Sequence, residues 1–177
     1  TIILSIYNIL FGFWVPILFA LLLNEVRKER FKKIVQTSSY LPYFISSVVV
    51  AGMVLSFIEP NGLVNNIIAA FGGSRKALST EPGYFRSIYT ITNVWKSFGF
   101  NSILYLSAMT AIDPELYEAA YLDGATRMQR IWYITIPGIR STIAIMLIMA
   151  VGSLLGTNTE LILLLYSPAT YPTADVL

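Results

Sequence analysis

The run Glu118-Ala119-Ala120-Tyr121-Leu122-Asp123-Gly124 is followed, ten residues after its last glycine, by Ile134-Thr135-Ile136-Pro137. This stretch lies between two segments, 87–112 and 138–157, that are each long and apolar enough to cross a bilayer as a helix. A polar, helix-forming connection in that position gives a soluble partner a surface by which it can hold a membrane protein. The stretch therefore predicts a membrane protein whose conformational changes are driven by a partner located outside the lipid bilayer.

Composition supports residence in a membrane. Of the 177 residues, 55% are hydrophobic and 12% are charged, whereas a soluble domain carries roughly 25% charged residues. The net charge of +2 is too small and too scattered to indicate nucleic-acid binding. The sequence contains no cysteine and no histidine, which excludes disulfides, thiol chemistry and histidine-based metal or acid–base sites.

Four apolar segments predict an all-α, polytopic membrane protein, with spans at about 1–23, 40–58, 87–112 and 138–157. A helix of the first length is about 34 Å long, which matches a hydrocarbon core of about 30 Å. The alternative is a soluble protein with buried helices. It is disfavoured because such helices usually have a polar face, and because a chain of this length could not cover four apolar cylinders.

The distribution of basic residues predicts the orientation of the chain. One side of the membrane carries Arg27, Lys28, Arg30, Lys32, Lys33, Arg127, Arg130 and Arg140, and the other carries Arg75, Lys76 and Arg86. Basic residues are retained on the cytoplasmic side, so the connection 113–137 is expected in the cytoplasm. The connection 59–86 is rich in Gly, Pro, Asn and Ser and is expected outside, with a short surface helix at 63–71.

Local signals predict a helix–turn–helix in the connection 113–137. Asp113 can cap free backbone N–H groups, and Pro114 suits the first helical position. Gly124 favours a left-handed turn, and a second helix is predicted from residue 125 to residue 133. Pro137 is expected to end that helix before the fourth span. The alternative is an amphipathic hairpin that rests on the lipid surface, which would show the same local signals.

The spacing is more specific than these local signals. The spacing resembles the EAA motif of permease subunits of binding-protein-dependent ABC importers. It consists of Glu118-Ala119-Ala120, three residues, Gly124, nine residues, Ile134, one residue and Ile136-Pro137. Ile136 stands where that family usually has Leu, a swap that keeps volume and apolarity. Runs such as Tyr40-Leu41-Pro42-Tyr43-Phe44 extend the likeness over essentially the whole chain. It is closest to oligosaccharide permeases of the LplB-like group. Such permeases usually have about six spans, so the chain is interpreted as a fragment that lacks a leading and a final span.

The resemblance implies a coupling role for the connection 113–137, which in such permeases docks on the ATP-binding subunit and transmits its movement. The residues implied in this coupling are Glu118, Ala119, Ala120, Asp123, Gly124, Ile134 and Pro137. Glu118 would make the polar contact, the two alanines would permit close approach, and Pro137 would set the angle into the fourth span.

The resemblance also implies the partners. These are a second permease subunit, a dimer of ATP-binding subunits, an extracytoplasmic solute-binding protein and lipid, in the cytoplasmic membrane of a bacterium. ATP and Mg²⁺ are expected on the ATP-binding partner, because this sequence has no Gly-x-x-x-x-Gly-Lys-Ser/Thr run. No cofactor or metal is expected on this chain. Solute would cross by alternating access, as this subunit rocks against the second permease.

The solute pathway is predicted at Trp95, Lys96 and Asn101, with Asn93 and Tyr105 as weaker candidates. A charge at mid-bilayer costs roughly 2.5–3.5 kcal/mol on insertion scales, so Lys96 should face protein or water. The alternatives are a lysine that snorkels to the outer interface and a lysine paired with a carboxylate of the missing partner.

The sequence therefore predicts the transmembrane subunit of an ATP-driven importer of a sugar or oligosaccharide. An enzyme is not expected, since the apolar segments contain no paired acid–base or metal-ligating groups. Two alternatives stay open: the same machinery importing an amino acid, a peptide or an anion, and a non-transporting membrane scaffold.

Overall fold

The computed structural model describes residues 2–153 and 159–165, and in those ranges the chain forms helices and no strand. The helices are α1 (Ile2–Asn24), α2 (Glu29–Phe44), α3 (Ser47–Ile58), α4 (Leu63–Ala70), α5 (Pro82–Thr110), α6 (Pro114–Leu122), α7 (Arg127–Arg130), α8 (Ile136–Gly138), α9 (Arg140–Gly152) and α10 (Thr159–Leu165), with a π-helical segment at Ile131–Thr135. The all-α prediction is confirmed for the described part of the chain.

The core is built where α1 and α5 run side by side in the same direction. Their C-terminal halves pack with the start of α9 in one cluster of buried residues, which contains Phe13, Ile17, Ala20, Leu21, Leu23, Tyr105, Leu106, Met109 and Ile139. A second cluster joins the other ends of α1 and α5 to α3 and α10, through Leu4, Ala51, Phe85, Tyr89, Leu161, Ile162 and Leu165. Many large apolar side chains outside these clusters are exposed, Leu22 at 71% and Ile148 at 72% among them, as expected of surfaces that face lipid or other spans.

The second predicted span, 40–58, differs from the structure because it is divided between two helices. α2 begins at Glu29 and ends at Phe44, and α3 begins at Ser47. Ile45 and Ser46 have extended backbone angles between them. The Ser46 hydroxyl caps α3 by accepting a hydrogen bond from the Val49 N–H at 3.4 Å. The stretch is apolar throughout, so apolarity alone does not indicate the break. Ser46, a residue favoured at helix N-caps, could have predicted where α3 begins.

Length and composition identify fewer spans than the four predicted. Within residues 2–153 and 159–165, two continuous stretches are long and apolar enough to cross a membrane, Ile3–Asn24 and Ser47–Ala70, and the bent pair Arg127–Gly138 and Arg140–Gly152 would make a third. α5 has 29 residues, which gives a length of about 43 Å, but it lies outside that set and carries Arg86 and Lys96. The end of the fourth predicted span, 154–157, lies outside the described residues.

α5 also approaches α2 closely. A Cβ atom built on Gly99 would collide with the backbone of Ser39, so the two helices touch backbone to backbone at this point.

Between α3 and α5, the predicted short helix is present as α4. The buried Asn65 side chain holds α4 in place by donating to the Glu59 and Lys76 carbonyl oxygens, at 2.8 Å each.

Candidate functional site

The helix–turn–helix predicted from the sequence is present at 113–138. The Asp113 side chain accepts a hydrogen bond from the Glu115 N–H at 2.9 Å, and Pro114 occupies the first turn of α6. None of the nine residues of α6, all of which are described, is buried. The first helix of this hairpin therefore projects from the body of the chain with its surface available to a partner.

The turn after α6 is a Schellman motif. The Ala125 N–H donates to the Ala120 carbonyl at 2.9 Å, and the Gly124 N–H donates to the Tyr121 carbonyl at 3.1 Å. Gly124 has φ +76, in the left-handed region that costs other L-residues about 1–2 kcal/mol. The predicted turn at Gly124 is confirmed, and its cause is the backbone conformation, since a Cβ atom at this position would meet nothing within 4 Å.

The second helix of the hairpin begins with a capping box. The Thr126 hydroxyl accepts from the Gln129 N–H at 3.4 Å, and the Gln129 side chain accepts from the Thr126 N–H at 2.7 Å. This reciprocal pair satisfies two backbone donors at the helix start. The sequence analysis missed it, although Thr-x-x-Gln is a readable signature.

The helix that follows changes pitch and then direction. Ile131–Thr135 is π-helical, and Pro137, two residues later, has no N–H with which to continue an α-helical bond pattern. The chain bends by 64° between Arg127–Gly138 and Arg140–Gly152, at the fully buried Ile139. Pro137 therefore lies two residues before the bend into α9, and its role in setting that angle stays a prediction.

The structure divides the seven predicted coupling residues into three places. Ala120, Asp123, Gly124 and Ile134 line one cleft of about 290 Å³ at the turn, together with Ala125, Gln129, Arg130 and Tyr133. Glu118 and Ala119 lie on the exposed surface of α6, and Pro137 lies apart at the bend. Exposed apolar and aromatic side chains surround the turn, namely Leu116, Tyr121, Leu122, Met128, Trp132 and Tyr133. An exposed apolar surface of this kind is typical of contact with a protein partner or with lipid, and the coupling role of these residues stays a prediction.

Two residues that the sequence analysis did not select join the helices of the hairpin. The Tyr117 hydroxyl lies 2.9 Å from the Thr135 hydroxyl, and Thr135 is 1% exposed. The Arg130 guanidinium also lies 6.0 Å from the centre of the Tyr121 ring. No local sequence pattern predicts these contacts, because they depend on the angle that the turn sets between α6 and the second helix of the hairpin.

The structure does not bring Trp95, Lys96 and Asn101 together. Successive residues of an α-helix are about 100° apart, so these three point to different faces of α5. Trp95 lines an apolar cavity of about 510 Å³ between α1 and α5, with Tyr7, Phe11 and Phe98 among its walls. The roles of the three residues in solute transport stay predictions.

Asn101 lines a different and more polar cavity, of about 360 Å³, among α1, α5 and α9. Asn93 and Tyr105, the weaker candidates of the sequence analysis, line the same cavity, with Asn8 and Ser97. The Asn93 amide donates to the Asn8 side chain at 3.1 Å. The described residues that line this cavity thus combine amides and hydroxyls with apolar side chains, and none of them is charged.

Lys96 lines neither cavity and is held by its own chain. Its ammonium, halfway along α5, donates to the Ser47 hydroxyl at 2.8 Å, and that hydroxyl lies 3.2 Å from Glu160 Oε2, to which it donates. Ser47 therefore links a cation on α5 to a carboxylate on α10. One alternative for Lys96 was an ion pair with a carboxylate of another subunit. The carboxylate near it is instead Glu160 of the same chain, which lies 64 positions away in the sequence and is brought near by tertiary packing.

Among the described residues, no group of three or more His, Asp or Glu side chains could hold a metal ion. The amide and hydroxyl side chains of the polar cavity can form hydrogen bonds with a polar ligand.

Comparison with known proteins identifies the family. Residues 12–176 match the family described as the binding-protein-dependent transport system inner membrane component. The chain belongs to this family. The resemblance drawn from the EAA spacing is thereby confirmed, and so is the fold of an ABC importer permease.

Relatives of known name are transport permeases. The chain is 42% identical over 179 residues to the polygalacturonan/rhamnogalacturonan transport system permease protein YteP of Bacillus subtilis, covering 99% of this chain and 55% of YteP. It is 38% identical to protein LplB of the same organism, covering 99% of this chain and 56% of LplB. The chain thus spans about half the length of these relatives.

A solved structure has the same fold. The chain superposes with a TM-score of 0.93 and 50% identity on a chain of a bacterial ABC transporter involved in the import of the acidic polysaccharide alginate, covering 98% of this chain and 61% of that one. The same likeness holds for that transporter in complex with a periplasmic protein bound to alginate pentasaccharide.

Proposed function

We propose that this chain is the membrane-spanning part of a permease subunit that imports an oligosaccharide or sugar across the bacterial cytoplasmic membrane, with uronate-containing oligosaccharides as the first class to test. The observation that carries the proposal is the hairpin at 113–138. It is capped at both helix starts and at its turn, presents the EAA residues on its surface, and leads through a fixed bend into α9. The names of the relatives, which refer to polygalacturonan and alginate, support the acidic class.

The hairpin is proposed to lie in the cytoplasm and to dock on a partner ATPase. The excess of basic residues on that side supports this orientation. Glu118 and the cleft formed by Ala120, Asp123, Gly124 and Ile134 would meet the partner, with the exposed aromatic and apolar side chains around them. ATP and Mg²⁺ would bind the partner subunits, and a second permease and an extracytoplasmic solute-binding protein would complete the assembly.

The solute is proposed to pass along the polar cavity among α1, α5 and α9. Its amides and hydroxyls, on Asn8, Asn93, Ser97, Asn101 and Tyr105, can donate to and accept from sugar hydroxyls, and they can donate to the carboxylate of a uronate. Of the three pathway residues predicted from the sequence, Asn101 is retained in this proposal. For Lys96, the bonds to Ser47 and through it to Glu160 support a structural role within the subunit.

The test is reconstitution of the full-length permease with its second permease, ATPase and solute-binding protein in proteoliposomes. We expect binding protein loaded with a uronate oligosaccharide to stimulate ATP hydrolysis and uptake more than binding protein loaded with a neutral one. Stimulation by the neutral sugar alone would correct the substrate class. Uptake of an amino acid, a peptide or an anion without any sugar uptake would refute the proposal.

A further inference from the structure

The two helices of the hairpin are joined by a short chain of hydrogen bonds away from the turn. The Thr135 hydroxyl lies 2.9 Å from the Tyr117 hydroxyl. It lies 3.4 Å from the carbonyl oxygen of Arg130, the residue that precedes the π-helical segment. The order Tyr117 to Thr135 to Arg130 carbonyl thus connects the first helix of the hairpin to the second.

This connection stands where α6 has little other support. No residue of α6 is buried, so the helix is not held by a core of its own. Thr135, in contrast, is 1% exposed, and its hydroxyl group is fixed in a water-poor position where an unmade hydrogen bond is costly. Together with the contact between Arg130 and the Tyr121 ring, the Tyr117–Thr135 bond therefore holds α6 against the second helix of the hairpin.

Beyond Thr135 the chain joins the packed helices. The residue four positions later, Ile139, is fully buried and belongs to the buried cluster that contains Tyr105 and Leu106 of α5 and Ile17 of α1. The Tyr117–Thr135 bond is thus one turn away from the point where the hairpin joins the packed spans. A change in the angle between α6 and the π-helical segment would alter how movement of α6 reaches α9.

We propose that Tyr117 and Thr135 are positioning residues that fix the angle of the hairpin and thereby set how much solute is carried for each ATP hydrolysed. This inference rests on the proposed function, because it assumes that the hairpin receives the movement of an ATPase. The pair acts through α6 and α9 and touches neither solute nor nucleotide. Its loss should leave ATP hydrolysis running while transport lags behind.

The first measurement is the number of solute molecules imported per ATP in proteoliposomes that contain the full assembly. Tyr117→Phe and Thr135→Val each remove one hydroxyl and should lower that ratio roughly threefold to tenfold, the effect of losing one hydrogen bond. Thr135→Ser keeps the hydroxyl and should restore the wild-type ratio. The double variant should be no worse than either single one, because both remove the same bond. A wild-type ratio in Tyr117→Phe, or a Thr135→Ser variant as defective as Thr135→Val, would overturn the inference.

The second measurement does not depend on transport. The protein has no native cysteine, so spin labels can be placed on cysteines introduced at the exposed Glu115 and Met128 of the full-length protein, and the distance between them measured by pulsed EPR. We expect a narrow distribution in the parent protein and a broader one after Tyr117→Phe. Tyr121→Phe, which removes a hydroxyl from the same helix at an exposed position, is the matched control and should leave the distribution unchanged. An unchanged distribution in Tyr117→Phe would refute the positioning role even in a protein whose substrate proved to be different.

Discussion

Replacing Gly124 tests whether the hairpin depends on a left-handed backbone. With φ +76 and no atom within 4 Å of a Cβ built there, Gly124→Ala should introduce strain without a clash inside the chain. That strain is about 1–2 kcal/mol, which corresponds to a roughly 5- to 30-fold greater population of the opened turn. Gly124→Asn should cost less, because asparagine tolerates this region, and Gly124→Val should cost more, because a β-branched residue adopts it least readily.

The assay is amide hydrogen exchange by mass spectrometry on the full-length protein in nanodiscs, read at the Ala125 N–H, which is bonded to the Ala120 carbonyl at 2.9 Å. Exchange should accelerate in the order Asn, Ala, Val. Gly83→Ala is the matched control, since a Cβ there also meets nothing within 4 Å but no positive φ is present. Protection in Gly124→Ala equal to that of the control would refute the reasoning. If transport-coupled ATP hydrolysis fell as much in Gly124→Asn as in Gly124→Val, a clash with the partner would be the cause.

Three further predictions concern the surface, the orientation and the pathway. Glu118→Lys should abolish solute-stimulated ATP hydrolysis while membrane insertion stays normal, because it reverses a charge on the docking surface; normal stimulation would contradict that assignment. A cysteine introduced at Gln129 should be shielded from impermeant thiol reagents outside the cell, whereas one at Ser74 should label, and external labelling at 129 would invert the topology. Asn101→Asp should lower uptake of a uronate oligosaccharide more than tenfold relative to a neutral one, and equal losses of uptake for both sugars would remove residue 101 from the pathway. Lys96→Met should instead lower the amount of assembled complex without changing the preference between the two sugars.

The hairpin could be predicted closely because its determinants are local. Asp at the N-cap and Pro at the first helical position are both favoured, as at Asp113 and Pro114, and Gly124 permits the left-handed turn that ends the helix. The capping box from Thr126 was equally readable and was missed. The bond between Tyr117 and Thr135 could not be predicted, because it depends on the angle at which the turn returns the chain.

The membrane part was harder to predict for a different reason. A long apolar run identifies a segment that could cross the membrane. Its apolar residues show no helical or strand periodicity that would mark the break at Ser46 between α2 and α3. The separation of Trp95, Lys96 and Asn101 was predictable from helical geometry alone, since residues one and five positions apart face different directions. The link from Lys96 through Ser47 to Glu160 was not, because it joins three helices that are far apart in sequence.

The backbone contact between Gly99 and Ser39 limits how α2 and α5 can move relative to each other. Any larger residue at position 99 would force α2 and α5 apart, so a saturation-mutagenesis library selected for growth on the transported solute should retain glycine there while it accepts alanine at the open position 83. At the level of Gly99 the two helices leave no room for a side chain between them, so we expect α2 and α5 to move as one unit.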